Sequence, residues 1–263
     1  MKILIIHGSM RKGNTYAITK GIVNFLLTKP DVECTEISVA DLELSFCRSC
    51  HVCFSKGEEH CPHHTAMRGV QSALMECDGV ILSGTTYMWA LNAAMKNLLD
   101  HLAYGVHRPA LFGKKGMVIA TSAGNGEKAV AKYLKTALGQ WGINGAIVIT
   151  QNTKERQLQS SDKTAVKFDR AAERFYQLIA SNRFIAPKLK SIAVHNAFRA
   201  MSLSDFAENE CDIQFWQQQG FYDRAYPVKA GPKYVAGALM YEAVKHLTIM
   251  LGRTYAKHLN TQK

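Results

Sequence analysis

A short run of strand-forming residues opens the chain, breaks at a glycine, and gives way to a loop and then a helix. This alternation repeats to about residue 180 and limits the fold more than any other feature. Lys2–His7 is β-branched and apolar up to Gly8, the form of a strand buried on both faces. Helical spacing follows at Ala17, Ile18, Ile22, Phe25 and Leu26, and Val32–Val39 alternates like a second strand. A helix is expected from about Thr65 to Glu76, a third strand at Gly79–Gly84, and a helical stripe through Ala90, Leu91, Ala94, Met95, Leu98, Leu99 and Leu102. Gly116–Thr121 reads as strand four, Glu127–Trp141 as a helix, Gly145–Thr150 as strand five and Ser161–Asn182 as a closing helix. Strands alternating with helices imply βαβ crossovers and a parallel sheet. The expected fold is α/β, a flavodoxin-like doubly wound five-stranded parallel sheet of order 2-1-3-4-5 over residues 1–183. In that order a ligand sits where strands one and three part.

Three turns at the carboxyl ends of these strands carry candidate chemistry. Gly8-Ser-Met-Arg-Lys-Gly-Asn-Thr15 comes close to the triphosphate-binding pattern G-x4-G-K-[ST], but Asn14 stands where the lysine belongs. What remains suits one terminal phosphate. Ser9 and Thr15 offer hydroxyls, Gly13 and Asn14 open a helix whose N–H groups point inward, and Arg11 can add a charge-assisted contact. A polar turn into a capped helix is the plainer reading. Thr85-Thr86-Tyr87-Met88-Trp89 is rich in aromatics and could cover a planar ring. Thr121-Ser122-Ala123-Gly124 offers small residues and backbone donors to that ring's polar edge. Lys96 and Asp100, one helical turn apart, need be no more than a solvated ion pair.

Between strands two and three lie Cys47, Cys50, Cys53 and Cys61, spaced C-x2-C-x2-C-x7-C with Pro62 next. Thiolates so spaced in a loop can close a four-sulfur cage for a [4Fe–4S] cluster or, less well, a zinc ion. The plainer reading is a loop of free or redox-active thiols. His51, His60, His63 and His64 surround the run as further potential ligands or as exposed loop residues. Cys34 and Cys77 fall on apolar faces and are expected in the core.

The chain has 263 residues, 32 Lys and Arg against 21 Asp and Glu, a formal charge of +11, and seven cysteines. An odd, crowded set of cysteines fits a reducing cytoplasm better than a disulfide framework. The charge favours anionic ligands and acidic partners, yet no basic run interleaved with aromatics points to specific nucleic-acid binding. No apolar stretch reaches the length of a transmembrane segment. Residues 184–263 form an expected helical extension: Lys188–Met201, Ser204–Gln219 and a long amphipathic helix over Tyr234–Leu259, joined by a turn-rich Gly220–Pro232. The last helix carries Lys245, Arg253 and Lys257 with Glu242 and reads as a membrane-surface anchor, a subunit contact or a helix folded back onto the protein. Charges interrupting its apolar face favour folding back over a membrane role.

Gly-Ser-x-Arg-Lys-Gly-Asn-Thr after strand one, Tyr87 with Lys96-Asn97 and Asp100, and the cysteine run together resemble the NADPH-dependent FMN reductase superfamily. The compact cysteine motif resembles that of the iron-sulfur flavoproteins within it. The resemblance spans about residues 1–180. It implies that Ser9, Arg11, Gly13, Asn14 and Thr15 hold the FMN phosphate. Thr85, Thr86, Tyr87, Met88, Trp89, Thr121, Ser122, Ala123 and Gly124 would line the isoalloxazine, and Cys47, Cys50, Cys53 and Cys61 would ligate a [4Fe–4S] cluster. It further implies a homodimer or homotetramer. Many relatives have Cys-x-Gly-Cys where this chain has Cys47-Arg-Ser-Cys50, and a proline where it has Thr86. The expected function is an FMN oxidoreductase, fed by NAD(P)H or a ferredoxin-type partner, that passes electrons to a small molecule or protein. A non-enzymatic electron carrier or cysteine redox sensor, and a zinc-stapled binding protein, are the alternatives.

Overall fold

A computed structural model describes residues 1–153, 162–183, 185–202, 210–223, 226–227, 235, 239, 241–243 and 246. The strands are β1 (Lys2–His7), β2 (Glu33–Ser38), β3 (Gly79–Tyr87), β4 (Ala90–Leu91), β5 (Lys115–Ser122) and β6 (Ala146–Asn152). The helices are α1 (Asn14–Leu26), α2 (Val52–Ser55), α3 (His64–Glu76), α4 (Ala93–His101), α5 (Glu127–Gln140), α6 (Asp162–Ala180), α7 (Leu189–Met201) and α8 (Glu210–Gln218). The five long strands pair in parallel in the order β2-β1-β3-β5-β6, and β4 pairs antiparallel with the end of β3. Leaving out that short strand gives the expected order 2-1-3-4-5.

Burial explains which strands are central. β5 is buried along its whole length and β3 along its first six residues, whereas the outer strands β2 and β6 are only partly covered. The inner strands alternate between two cores with period two. Leu4, Ile6, Val80, Leu82, Val118 and Ala120 meet Val70, Leu98 and Leu134 of α3, α4 and α5. Ile3, Ile5, Ile81, Met117 and Ile119 meet Ile18, Ile22, Phe168 and Phe175 of α1 and α6. A parallel sheet covered on both faces results.

The structure corrects the boundaries around the third strand: Thr85, Thr86 and Tyr87, expected in the turn after it, continue β3 to its pairing with β4. Ala90 and Leu91 share the apolar spacing of the α4 stripe but form β4, and the helix starts only at Ala93 after Asn92. Two of the three expected tail helices appear, Lys188–Met201 as α7 and the latter part of Ser204–Gln219 as α8. The stretch 203–209 and most of 234–259, including Lys245, Arg253 and Lys257, lie outside the described residues. Cys77 is buried as expected, while Cys34 on the edge strand β2 is half-buried. Among the described residues no helix is long and apolar enough to cross a membrane.

α6 rests directly on the start of β3. A Cβ on Gly79 would stand 2.6 Å from the Ile179 side chain and 2.9 Å from Phe175, whereas one on Gly21 in α1 would meet nothing within 4 Å. Gly79→Ala should therefore destabilise by about 1–3 kcal/mol through overpacking. Gly21→Ala should stabilise by about 0.5–1 kcal/mol through helix propensity. Opposite shifts in thermal midpoint check the pair.

Candidate functional site

The carboxyl ends of β1, β2, β3 and β5 bring four segments to one edge of the sheet: residues 8–13, the cysteine loop, the β3–β4 hairpin and residues 123–126. The first is pulled tightly against β3. The Gly8 N–H donates to the Ser83 carbonyl at 2.9 Å, and a Cβ on Gly8 would sit 2.3 Å from that same oxygen. Only glycine allows this approach. From the other side, the buried Asn92 Nδ2 donates to the Gly8 carbonyl at 2.6 Å. The loop then curls on itself, with the Ser9 hydroxyl donating to the Arg11 carbonyl at 2.8 Å. Gly13 takes the N-cap of α1 without a side-chain cap, so the first-turn N–H groups of Asn14 and Thr15 face a site with no carboxylate in that turn. Arg11 and Lys12 are exposed beside it.

Thr15 and Thr121, expected at opposite ends of a ligand, prove to be neighbours. Their buried hydroxyls share one hydrogen bond of 2.6 Å, which ties α1 to the end of β5. Ser122 is committed elsewhere, since its hydroxyl donates to Glu127 Oε2 at 2.5 Å and holds that carboxyl below the usual range. Residues 123–126 therefore present backbone rather than the Ser122 hydroxyl. Asn152 braces that turn by donating to the Gly124 carbonyl.

The hairpin is the exposed part of the site. Thr86 pairs with Leu91 and Tyr87 with Ala90, leaving Met88 and Trp89 as a two-residue turn at φ 44° and 62°. Such turns favour Asn-Gly, because side chains at positive φ cost about 1–2 kcal/mol each. Here Tyr87, Met88 and Trp89 are 58%, 92% and 68% exposed. Three large apolar side chains on a strained, open turn point to contact with a ligand or a partner. The hairpin leans on the β5 turn: a Cβ on Gly126 would touch Thr86 Cγ2 at 2.7 Å. The Thr86 hydroxyl is buried and has no hydrogen-bond partner.

Cys47, Cys50, Cys53 and Cys61 line a single cavity of about 300 Å³ together with Arg48, His63, Lys96, Asp100 and His101. All four are free thiols. Among the described residues no three His, Cys, Asp or Glu side chains converge closely enough to hold a metal ion. The loop is fastened to α4, where the Cys47 N–H donates to Asn97 Oδ1 at 2.9 Å and Asn97 Nδ2 donates to the Leu44 and Ser45 carbonyls. His101 Nε2 donates to the Ser45 carbonyl at 3.0 Å, leaving its buried Nδ1 without a partner. Lys96 and Asp100 do pair, on the cavity wall. Of the surrounding histidines, His51 and His63 join the lining, whereas His60 and His64 do not. Asn92, Asn97 and His101 are the residues that pattern reading missed as loop anchors. Asn97 and His101, polar residues four apart in an apolar helix, were the available signal, with Asn92 as its N-cap.

Burial, with the neighbouring Cys61 adding to it, pushes the Cys53 thiol up to about 11, and burial does the same to Cys77. Cys50 is exposed. Burial raises Cys34 to about 11 as well, so in metal-free protein at pH 8 Cys50 should alkylate first and Cys34, Cys53 and Cys77 last. The Cys53 rate should keep rising with pH toward about 11, because only the thiolate reacts. Mass-spectrometric mapping of alkylation against pH checks the order.

A sequence profile of NADPH-dependent FMN reductase matches residues 1–154. The chain is 28% identical over 230 residues to an iron-sulfur flavoprotein of Archaeoglobus fulgidus, covering 84% of this chain and 100% of that one. It is 33% identical over 101 residues to an iron-sulfur flavoprotein of Methanocaldococcus jannaschii, covering 38% of this chain and 51% of that one. Among solved structures, an FMN-dependent NADH-azoreductase from Bacillus anthracis in complex with FMN superimposes with a TM-score of 0.52 at 12% identity, over 66% of this chain and 98% of that one. That last likeness establishes the shared fold. With the profile covering more than half its length, the chain belongs to the NADPH-dependent FMN reductase family.

Proposed function

We propose that this FMN-dependent oxidoreductase draws electrons from NAD(P)H or a ferredoxin-type protein and passes them to a small molecule or protein through a [4Fe–4S] cluster held by Cys47, Cys50, Cys53 and Cys61. One observation carries the reading: α4 anchors both candidate cofactor loops. Asn92 at its start binds the Gly8 carbonyl, and Asn97 binds the Cys47 N–H. Five residues at 1.5 Å rise put these anchors only about 8 Å apart along the helix.

The residues fit FMN. Ser9, Arg11, Gly13, Asn14 and Thr15 would receive the phosphate, which the α1 N-terminus and the Arg11 guanidinium favour electrostatically. Thr85, Thr86, Tyr87, Met88 and Trp89 would cover one side of the ring and exclude water. The unpartnered Thr86 hydroxyl is available to a polar ring atom. Ser122, Ala123 and Gly124 would meet the other edge, Ser122 through its backbone, with the Thr121 hydroxyl spent on Thr15 behind them. Bound FMN supplies the chemistry, taking electron pairs from a nicotinamide or single electrons from an iron–sulfur donor. The protein's work is to bind, orient and shield.

The cysteine loop fits a cluster through its donor set, four free thiols on one cavity. Because the Cys53 thiol is protonated at neutral pH, ligation must expel a proton, so metal uptake should strengthen as pH rises. The exposed Phe46, Met88 and Trp89 side chains support assembly into a homodimer or homotetramer. The +11 charge supports an acidic electron-transfer partner. Residues 1–183 are taken as the flavin unit and 184–263 as an extension to it.

Two measurements test the reading. Arg11→Ala should weaken FMN binding about tenfold, equivalent to about 1.4 kcal/mol, with the change shrinking at high salt. Fluorescence titration of the FMN-free protein with FMN reads this directly. Anaerobic NADH or NADPH should bleach the flavin, and turnover should follow with a quinone or free flavin as acceptor. A protein that binds FMN yet turns over with neither nicotinamide nor reduced ferredoxin would be a carrier instead.

A further inference from the structure

The cysteine loop is held from two sides, and only one of them is the flavodoxin-like sheet. The other is the C-terminal extension, working through Arg108. This side chain is 6% exposed, and each of its terminal nitrogens is used. Arg108 Nη2 donates to the Cys53 carbonyl at 2.6 Å and to Glu58 Oε2 at 2.8 Å, and so grips both ends of the segment between the third and fourth cysteines. Nη1 donates to Asp212 Oδ1 at 2.5 Å. Asp212 lies on α8, is 4% exposed, and takes a second hydrogen bond from His107 Nδ1 at 2.9 Å. The adjoining contacts repeat the pattern. Trp216, buried on α8, donates its indole N–H to the His107 carbonyl at 2.9 Å, and the Cys211 thiol lies 3.6 Å from the Ser55 carbonyl. The Phe54 ring packs on His107 at 4.6 Å between centroids.

We propose that the C-terminal helices are a clamp on the cysteine loop, in which Asp212 positions Arg108 and Arg108 positions the Cys53–Glu58 segment around the sulfur-lined cavity. The proposal rests on that cavity as the cluster site for its purpose, but its geometry stands without a cluster. A buried guanidinium satisfied by two carboxylates and a carbonyl is rigid. Removing the Asp212 charge leaves Glu58 as the one remaining carboxylate partner and strips Nη1 of its charge-assisted bond, so the buried guanidinium is no longer fixed from the α8 side. The α4 anchors reach the loop only at Leu44, Ser45 and Cys47, and the Cys53–Glu58 segment packs weakly by itself: α2 spans four residues and buries none of them. The described part of the extension thus acts on the cysteine loop as a positioning element, through Arg108 and through the Cys211–Ser55 contact.

Asp212→Asn in the full chain tests the clamp, since it keeps the shape and removes the charge. In metal-free protein the alkylation rate of Cys53 should rise about tenfold, the signature of local opening, while Cys77 in the core stays unchanged. FMN content should stay at the wild-type level, and iron retained after anaerobic reconstitution should fall to less than about half. Asp212→Glu should restore part of both. Unchanged Cys53 reactivity and iron would overturn the proposal. Equal acceleration of Cys53 and Cys77 with loss of FMN would also overturn it, because the residue would then be merely structural. Should Asp212→Asn fail to fold, Glu58→Gln loosens the other arm and is read by the same Cys53-to-Cys77 ratio. Wild-type protein that takes up no iron sinks the cluster reading alone, and Cys53 reactivity still decides the clamp.

Discussion

In a parallel sheet every strand delivers its following loop to the same edge, and this one constraint organises the molecule. The register of β1 with β2 and β3, and of β3 with β5, puts the Gly8 loop, the cysteine loop, the Tyr87–Trp89 hairpin and the Gly124 turn side by side. None of these segments needs to find the others. The buried inner strands do it, because a one-residue slip would turn Leu4 and Ile6 into the wrong core.

What the sheet brings near, a few buried polar side chains hold in place. Asn92, Asn97 and His101 line α4 as a row of anchors, fastening the first loop at one end and the cysteine loop at the other. Arg108 and Asp212 fasten the far side of the cysteine loop to the C-terminal helices. The hairpin turn differs in kind. Its Met88 and Trp89 carry backbone strain and exposure together, a combination that costs folding stability and gains nothing within the chain. The division is one of loops fastened by buried hydrogen bonds beside the cysteines and Gly8, and an exposed aromatic turn.

Much of this was legible beforehand, for physical reasons that also explain the omissions. Periodicity showed the sheet and most helices, since burial on one or two faces forces apolar residues into period two or 3.6. The form of the first loop was legible because the apolar strand stops at Gly8 and helical spacing has resumed by Ala17. Ala90 and Leu91 were misplaced because two apolar residues fit a helical stripe and a short strand equally; Asn92 at the helix N-cap was the overlooked boundary. The hydrogen bond between Thr15 and Thr121 and the salt bridge between Arg108 and Asp212 join residues more than a hundred positions apart, and no local pattern encodes such pairs. The commitment of the Ser122 hydroxyl to Glu127 was within reach, being a serine near a helix start with a glutamate in its first turn.

The central claim is that one edge of the sheet carries a flavin and an iron–sulfur centre on loops sharing one helix. Quantifying flavin, iron and acid-labile sulfide in a single anaerobic preparation tests it most directly. The account predicts FMN near one per chain, with about four iron and four sulfide per chain. A colourless protein, or FMN with zinc or no metal in place of iron and sulfide, would contradict it.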